Sequence, residues 1–304
     1  MSDKLEINSA YLDQLTALIE ANNSQELIKI LDELHIADIA EIIEDLSSEN
    51  AKHLYDLIAD EEKSAAVLVE LEDDTREDLL ANLTAKEIAE EVIDNLESDD
   101  AADIIGELSE DKKEEVLSHV EDIEHASDIS DLLTYPEDTA GGLMAKELIK
   151  VNENWNTLQC LKEMRKQAED IKKVYTIYVV DDDEKLLGSL SLKQLLLAEN
   201  GSAIKSIVNT DIVSVNVNED DEDVANIMNK YDLIALPVVD DLNRLIGRIT
   251  FDDVMDVVKE EAEKDYQMAS GISEDIESSD SVWELTRARL PWLLIGMIGG
   301  LLGA

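Results

Sequence analysis

One cysteine, three prolines, four histidines, one phenylalanine and 11 glycines occur in 304 residues. The single thiol, Cys160, excludes a disulfide scaffold, a cysteine-built zinc site and an iron–sulfur cluster. Four histidines leave little material for histidine metal sites, and each reads as a surface or packing residue. Basic residues are scarce, with 25 Lys and Arg against 73 Asp and Glu and a formal charge of −48. A nucleic-acid surface needs the opposite sign, so nucleic acid is excluded as a partner. The chain carries no G-x-S-x-G, P-loop, H-E-x-x-H or G-x-G-x-x-G motif. Nothing pairs a nucleophile with a base, so an enzyme is not expected. No apolar run opens the chain, so no secretory signal is expected and its start reads as cytoplasmic.

What remains is a chain rich in carboxylates that is still 44% apolar, enough for real cores rather than a disordered acidic tail. Hard divalent cations take oxygen ligands, which this composition supplies in excess. Charge runs are more often solvated faces, and charge alone favours that reading.

Glycine and proline punctuate the organisation by their absence. Residues 1–130 hold one glycine, Gly106, and no proline. Apolar residues recur there at helical spacing, as in Leu12, Leu15 and Ile19 or Ile39, Ile42, Ile43 and Leu46. Leu46, Ile58, Leu71, Leu83, Leu96 and Leu108 are spaced alternately by 12 and 13 residues. Each step carries one short helix, with start signals at Ser47, Ser98 and Ser109 and a capping box at Thr84 and Glu87. Short helices cannot bury their apolar faces alone, so a superhelical α-solenoid is expected over 1–134. The segment 135–143, Tyr-Pro-Glu-Asp-Thr-Ala-Gly-Gly-Leu, brings the first proline and paired glycines, and reads as a junction.

Beyond it lies a second duplication. Residues 177–191 match 236–250 at an offset of 59, and Val151…Met164 matches Val215…Met228 at 64. Each copy, 144–200 and 201–258, reads helix, strand, acidic turn, strand, helix, with strands expected at 175–180, 233–239 and 248–251. An acidic helix follows over 252–280, with one apolar stripe at Val254, Val257, Val258 and Ala262. Residues 281–304 bring Trp283, Arg287 and Arg289 before an apolar run from Leu290, which reads as the cytoplasmic entry of a transmembrane helix. That run is about 22 Å of helix, short of a bilayer core of roughly 30 Å, so the span is read as truncated.

Carboxylates recur at helical spacing: Asp99 with Asp103, Asp253 with Asp256, and Glu261 with Asp265. Like charges so placed cost a few tenths of a kcal/mol per pair, so repeated clustering invites a counter-ion. Helix capping and solvation are the alternatives, above all for Asp99 and for Asp220 with Glu222. Asp232 stands just before a strand.

The duplicated pattern, an apolar residue, Pro or Tyr, Val-Val-Asp, a basic residue, Leu, then Gly and Ser or Thr, resembles a tandem pair of CBS domains. Such a pair after an acidic helical domain ending in Glu137-Asp-Thr-Ala-Gly-Gly-Leu-Met144 resembles the cytosolic region of MgtE-type magnesium transporters, along essentially the whole chain. The resemblance implies an all-α N-terminal domain, an α/β CBS pair, a connecting (plug) helix and a membrane pore lying beyond this chain. It implies Mg²⁺ held by Asp99, Asp103, the Gly142 carbonyl, Asp220, Glu222, Asp232, Asp253, Asp256, Glu261 and Asp265, bridging the helical domain, the CBS pair and the connecting helix to favour a closed pore. A family acidic ligand falls at Ala66 here, and a family carbonyl position at Asn229. The resemblance further implies a homodimer through the CBS domains and a place in the cell inner membrane, with residues 1–280 on the cytoplasmic face. CBS pairs often bind adenine nucleotides such as ATP through Gly-h-x-Ser/Thr-x-x-Asp, where h is apolar. The second copy fits with Gly247, Thr250 and Asp253, while the first has Gln194 in place of the acid. A nucleotide-sensing CBS module and a structural docking scaffold are the alternatives to a magnesium sensor.

Overall fold

The computed structural model describes residues 7–168, 171 and 173–269. The chain forms two compact units. The first runs through Glu137 and takes in Met144–Leu148; the second takes in Asp138–Leu143 and resumes at Ile149.

The first unit is helical. Helices α1 (Ser9–Glu20), α2 (Ser24–Glu33), α3 (Ile36–Glu44), α4 (Ser48–Tyr55), α5 (Glu61–Val69) and α6 (Asp73–Leu80) precede α7 (Ala85–Glu87). That single turn widens into a π turn at Ile88–Val92 and tightens to 3₁₀ at Ile93–Asn95. Then come α8 (Ser98–Gly106), α9 (Glu110–Leu117) and α10 (Ile123–Leu132). The residues of the 12- and 13-step repeat sit in the turns. Leu46, Ile58, Leu71, Leu83, Leu96 and Leu108 each donate their N–H to the carbonyl three residues back, which closes the last turn of the preceding helix. The core lies inside the turns, with Ile39, Ile42, Leu68, Ile88, Ile93 and Ile105 fully buried.

Polar contacts repeat at about twice the expected unit. Lys63 Nζ donates to the carbonyls of Leu31 (2.6 Å) and Leu34 (2.8 Å), and Lys112 Nζ donates to Leu80 O (3.0 Å), so both lysines close a helix C-terminus. Glu44 accepts the Glu72 N–H at 2.8 Å, and Asp94 the Glu121 N–H at 3.2 Å. Thr84 and Glu87 form the expected capping box. Ser98 does not cap: Glu97 holds that position, and the buried Ser98 hydroxyl donates instead to Glu147 Oε2 at 2.7 Å. Glu147 Oε1 accepts the Ser98 N–H at 3.1 Å, and Ser98 Oγ accepts the Lys146 N–H at 2.9 Å. This clasp fixes Met144–Leu148 on α8.

The second unit is the α/β duplication. Its elements are β1 (Ile149–Asn152), α11 (Thr157–Gln167), β2 (Ile177–Val180), β3 (Leu186–Leu190) and α12 (Leu192–Leu197), then β4 (Val215–Asn216), α13 (Asp221–Tyr231), β5 (Ala235–Val239), β6 (Leu245–Thr250) and α14 (Phe251–Ala269). Each copy has a three-stranded sheet: β1 runs parallel to β2, which pairs antiparallel with β3, and β4 to β6 repeat this. Each copy therefore opens with a short strand absent from the sequence-based order, because two to four mixed residues carry too little alternation to read. Strands β2 and β5 begin two residues later than expected, β6 begins at Leu245, and Phe251 is already helical. The expected stripe on α14 divides: Val254 and Val257 are buried, while Val258 and Ala262 are exposed.

The copies are tied at two places. At the hairpin tips, Leu186 N–H donates to Asn243 O and Leu245 N–H to Glu184 O, each at 3.0 Å. Glu184 and Asn243 both take positive φ, at 64° and 62°. The segment before each copy docks on the other copy. Thr139 bridges Asp220 and Ala203 bridges Asn156, while Ala140 N–H donates to Glu219 O (2.8 Å) and Ile204 N–H to Trp155 O (2.9 Å).

Candidate metal centre: an acidic cluster between two helices of the second copy

Helix α13 begins in the acidic run Glu219-Asp-Asp-Glu-Asp223, which suits the positive end of a helix dipole. Asp220 is its N-cap, and its Oδ1 accepts the Glu222 N–H at 3.2 Å; Asp221 Oδ1 accepts the same N–H at 2.7 Å. The junction reaches this point, since Asp138 O accepts the Asp221 N–H at 3.3 Å. Helix α14 packs on α13 and brings the Glu261 carboxyl close to that of Glu222. The charge of Glu261 is the main cause that raises the Glu222 pKa, with Asp220 and Asp221 adding to it. Burial, followed by the charges of Asp220, Glu261 and Asp138, raises that of Asp221 against its bond to the Glu222 N–H.

Asp221 and Asp138 were not among the residues expected from the sequence. Their signal was present, in an Asp-Asp-Glu run and in the acid before the paired glycines, but only the docking of the junction on α13 joins them.

The other expected residues are dispersed. Asp99 is buried in the first turn of α8, where its Oδ1 accepts the Asp100 N–H at 3.0 Å. Asp103 is exposed in the field of Arg76, whose guanidinium also binds Glu107, Asp73 and the Leu71 carbonyl. Gly142 donates its N–H to Thr139 O at 2.9 Å. Asp232 is exposed and closes α13 in the left-handed conformation at φ 52°. Asp256 is exposed and paired with Lys259 at 2.6 Å. Asp265 belongs to α14, but its side chain lies outside those described. His35 caps α3 and Cys160 is fully buried, its thiol pushed up by burial to about 11, as expected of packing residues.

Thr250 and Asp253 are engaged with each other. Asp253 Oδ2 accepts the Thr250 N–H at 2.8 Å and its hydroxyl at 2.9 Å, and the hydroxyl also reaches Asp252 Oδ1 at 2.5 Å. This is the cap of α14. In the first copy Ser191 and Gln194 form a full capping box at the root of α12, at 2.8–3.1 Å; Gln194 Oε1 takes the Ser191 N–H and hydroxyl as Asp253 Oδ2 takes those of Thr250, so an amide can replace the acid there.

Among the described residues no group of three or more His, Cys, Asp or Glu side chains is gathered as in a closed metal cage. A cage of that kind is what zinc requires. Mg²⁺ keeps most of its waters and needs only one or two carboxylates, so the facing Glu222 and Glu261 fit it.

Two family models match the chain: the MgtE intracellular N domain over residues 34–138, and the CBS domain over 140–201 and 204–260. The chain belongs to the MgtE family. A Bacillus subtilis magnesium transporter MgtE is 30% identical over 292 residues, covering 94% of this chain and 64% of that protein. The Enterococcus faecalis MgtE is 35% identical, covering 56% of this chain and 38% of its own length. The Thermus thermophilus MgtE is 36% identical, covering 61% and 42%. The chain thus spans less than two thirds of each relative. The solved cytosolic domain of the Mg²⁺ channel MgtE in complex with ATP has a TM-score of 0.74 at 31% identity, covering 81% of this chain and 99% of that one. The solved soluble part of a magnesium transporter gives 0.69 at 29%, covering 83% and 98%. The MgtE arrangement of a helical domain followed by a CBS pair is therefore the fold of this chain. No helix among the described residues is long and apolar enough to cross a membrane, and the expected entry at 281–304 lies outside them.

Proposed function

We propose that this chain is the magnesium-sensing and gating part of a magnesium transporter, and that neutralisation of its clustered carboxylates favours the closed pore. The contact of Glu222 with Glu261 carries the reading. Two acidic side chains are held together across the α13–α14 packing, with Asp220, Asp221 and Asp138 around them. Magnesium, when bound, supplies positive charge and an octahedral set of oxygen positions. The chain supplies the rest: a helix start that gathers acids, and a connecting helix whose docking depends on whether those acids are neutralised. Asp99, Asp103, the Gly142 carbonyl, Asp232, Asp253, Asp256 and Asp265 belong to the same reading by family likeness. Asp256 would have to give up Lys259 to take part.

One site at ten times its Kd favours the bound state by about 1.4 kcal/mol. Moving an equilibrium from 1:99 to 99:1 takes about 5.5 kcal/mol, so roughly four such sites must act together. A homodimer doubles the number. Support for one comes from apolar side chains left exposed on equivalent helices, Leu192 and Leu196 on α12 and Phe251 and Met255 on α14. We further propose that residues 281–304 enter the inner membrane, with residues 1–280 on its cytoplasmic face. A second reading, adenine-nucleotide sensing, is supported by the ATP complex of the similar domain. Against it, Thr250 and Asp253 are already committed to a helix cap.

The test is small-angle scattering with limited proteolysis on the full chain in mild detergent. Mg²⁺ is titrated through the low-millimolar range at constant ionic strength. Compaction and protection of α14, lost in Glu222→Gln/Glu261→Gln, are expected. A profile that Mg²⁺ leaves unchanged overturns the reading.

A further inference from the structure

The duplication in the α/β unit supplies an internal control. Helices α11 and α13 correspond at an offset of 64, Thr157–Gln167 to Asp221–Tyr231. Gln167 ends the first of them and closes the outer edge of its sheet. Its Oε1 accepts the Lys150 N–H and its Nε2 donates to the Lys150 carbonyl, both at 3.0 Å. One side-chain amide thus stands on β1 where the backbone of a further strand would pair.

The second copy lacks this lock. Tyr231 replaces Gln167, and Ser214 is the counterpart of Lys150. Val215 opposes Val238 as Val151 opposes Val179, so Ser214 turns its N–H and carbonyl away from β5, as Lys150 turns its own away from β2. Among the described residues nothing hydrogen-bonds to either group of Ser214. Tyr231 is exposed, and the Lys230 ammonium lies 5.0 Å from the centre of its ring. A groove of about 440 Å³ runs along α13 beside this edge. Val213, Ile227 and Tyr231 make it apolar, and Glu219 and Asp223 make one end acidic. From Asp223 to Lys230 is about 10 Å of helix, the length of about three residues of strand. Open sheet edges are ordinarily blunted, and the first copy blunts its own.

We propose that the sheet edge at Ser214, just before β4, binds an extended basic segment of a partner polypeptide. The segment adds a short strand to the second sheet. Its backbone takes up the paired bonds that Gln167 makes in the first copy. An apolar side chain enters beside Val213, Ile227 and Tyr231, and a Lys or Arg meets Glu219 and Asp223. The acidic end of the groove sets the charge of the partner. The proposal stands apart from magnesium sensing.

The probe is the blocked peptide acetyl-Lys-Val-Thr-Val-Lys-amide, basic at both ends so that it fits in either direction. A twin is N-methylated at the three central residues. Binding to the full chain in mild detergent is read by anisotropy of a neutral dye on the peptide, at fixed ionic strength. Saturable binding is expected, about tenfold weaker for the twin, which cannot donate to the edge. Tyr231→Gln writes the first copy's lock into the second and is expected to weaken binding about tenfold. Tyr231→Leu leaves the edge open and is expected to cost less than about threefold. Glu219→Gln/Asp223→Asn is expected to cost about threefold. Ser214→Pro removes the edge N–H at a position where a sheet tolerates proline, and is expected to weaken binding about tenfold, which keeps the test if Tyr231→Gln fails to fold. A wild type that binds neither peptide, a twin that binds as well as its parent, or a Tyr231→Gln variant that binds no more weakly than Tyr231→Leu overturns the proposal. Self-association of the wild type that Tyr231→Gln abolishes and the peptide does not displace assigns the edge to a second copy of this chain, and overturns it too.

Discussion

Gly188→Ala should unfold the α/β unit at a markedly lower temperature. A Cβ at Gly188 would stand 2.3 Å from Asn209 O, 2.8 Å from Val208 Cγ2 and 3.0 Å from the Asn209 carbonyl carbon. Two of these atoms are backbone, which cannot rotate aside. Strand β3 would have to part from the segment leading into the second copy. That loses the Ser189 N–H to Asn209 O and Asn209 N–H to Ser189 O bonds, both 2.9 Å. Each is worth about 1 kcal/mol net, and crowding adds about 1–3 kcal/mol, so the cost is about 4 kcal/mol. At about 2–4 °C per kcal/mol this lowers the transition by about 10 °C. Gly106→Ala is the control, because a Cβ there meets nothing within 4 Å at the end of α8. Removing a helical glycine should stabilise by about 0.5 kcal/mol. Calorimetry and urea titration of both variants check the pair. A Gly188→Ala change below about 1 kcal/mol would refute the argument from close approach.

The raised carboxylates give a pH dependence of definite sign. For Glu222 and Asp221 the stability contribution is fully present below the ordinary values of 4.5 and 3.8 and is lost as pH rises through the raised ones. Metal-free protein should therefore lose stability from this cluster as pH climbs from those values towards neutrality. Glu222→Gln should flatten the profile, read by melting in chelator at each pH. Glu147→Ala leaves the buried N–H and hydroxyl of Ser98 without their acceptor and should cost about 3 kcal/mol, with faster amide exchange over 144–148. Glu147→Gln should cost less. Lys63→Met strips the charged donor from the Leu31 and Leu34 carbonyls and should destabilise the helical unit by about 2 kcal/mol, seen by urea titration.

What was legible in the sequence follows from spacing, and what was not follows from contacts made at a distance. The 12- and 13-residue step found the helices because every step ends in an apolar residue that closes a turn. Thr84 and Glu87 could be read as a cap because both partners lie within one turn. Ser98 looked the same but is claimed by Glu147, 49 residues on, which no local pattern reveals. The acids of α13 and α14 were singled out by type, by spacing and by family likeness. The company they keep was not, since Asp138 reaches Asp221 only through the docked junction. Gly188 and Thr250 read as parts of a nucleotide motif. Their structural duties, a close backbone approach at Gly188 and hydrogen bonds to Asp253 at the root of α14 for Thr250, need no ligand.

The exchanged leader segments make the two copies interdependent. Each α/β copy is completed by chain that belongs, in sequence, to its sibling: Thr139–Gly141 completes the second, and Ser202–Ile204 the first. Neither copy is a finished module by itself. Reciprocal lending of this kind is what two identical polypeptides do when they swap arms. A copy cut away from its sibling would keep its own leader but lose the one that completes it, so the two copies stand or fall together.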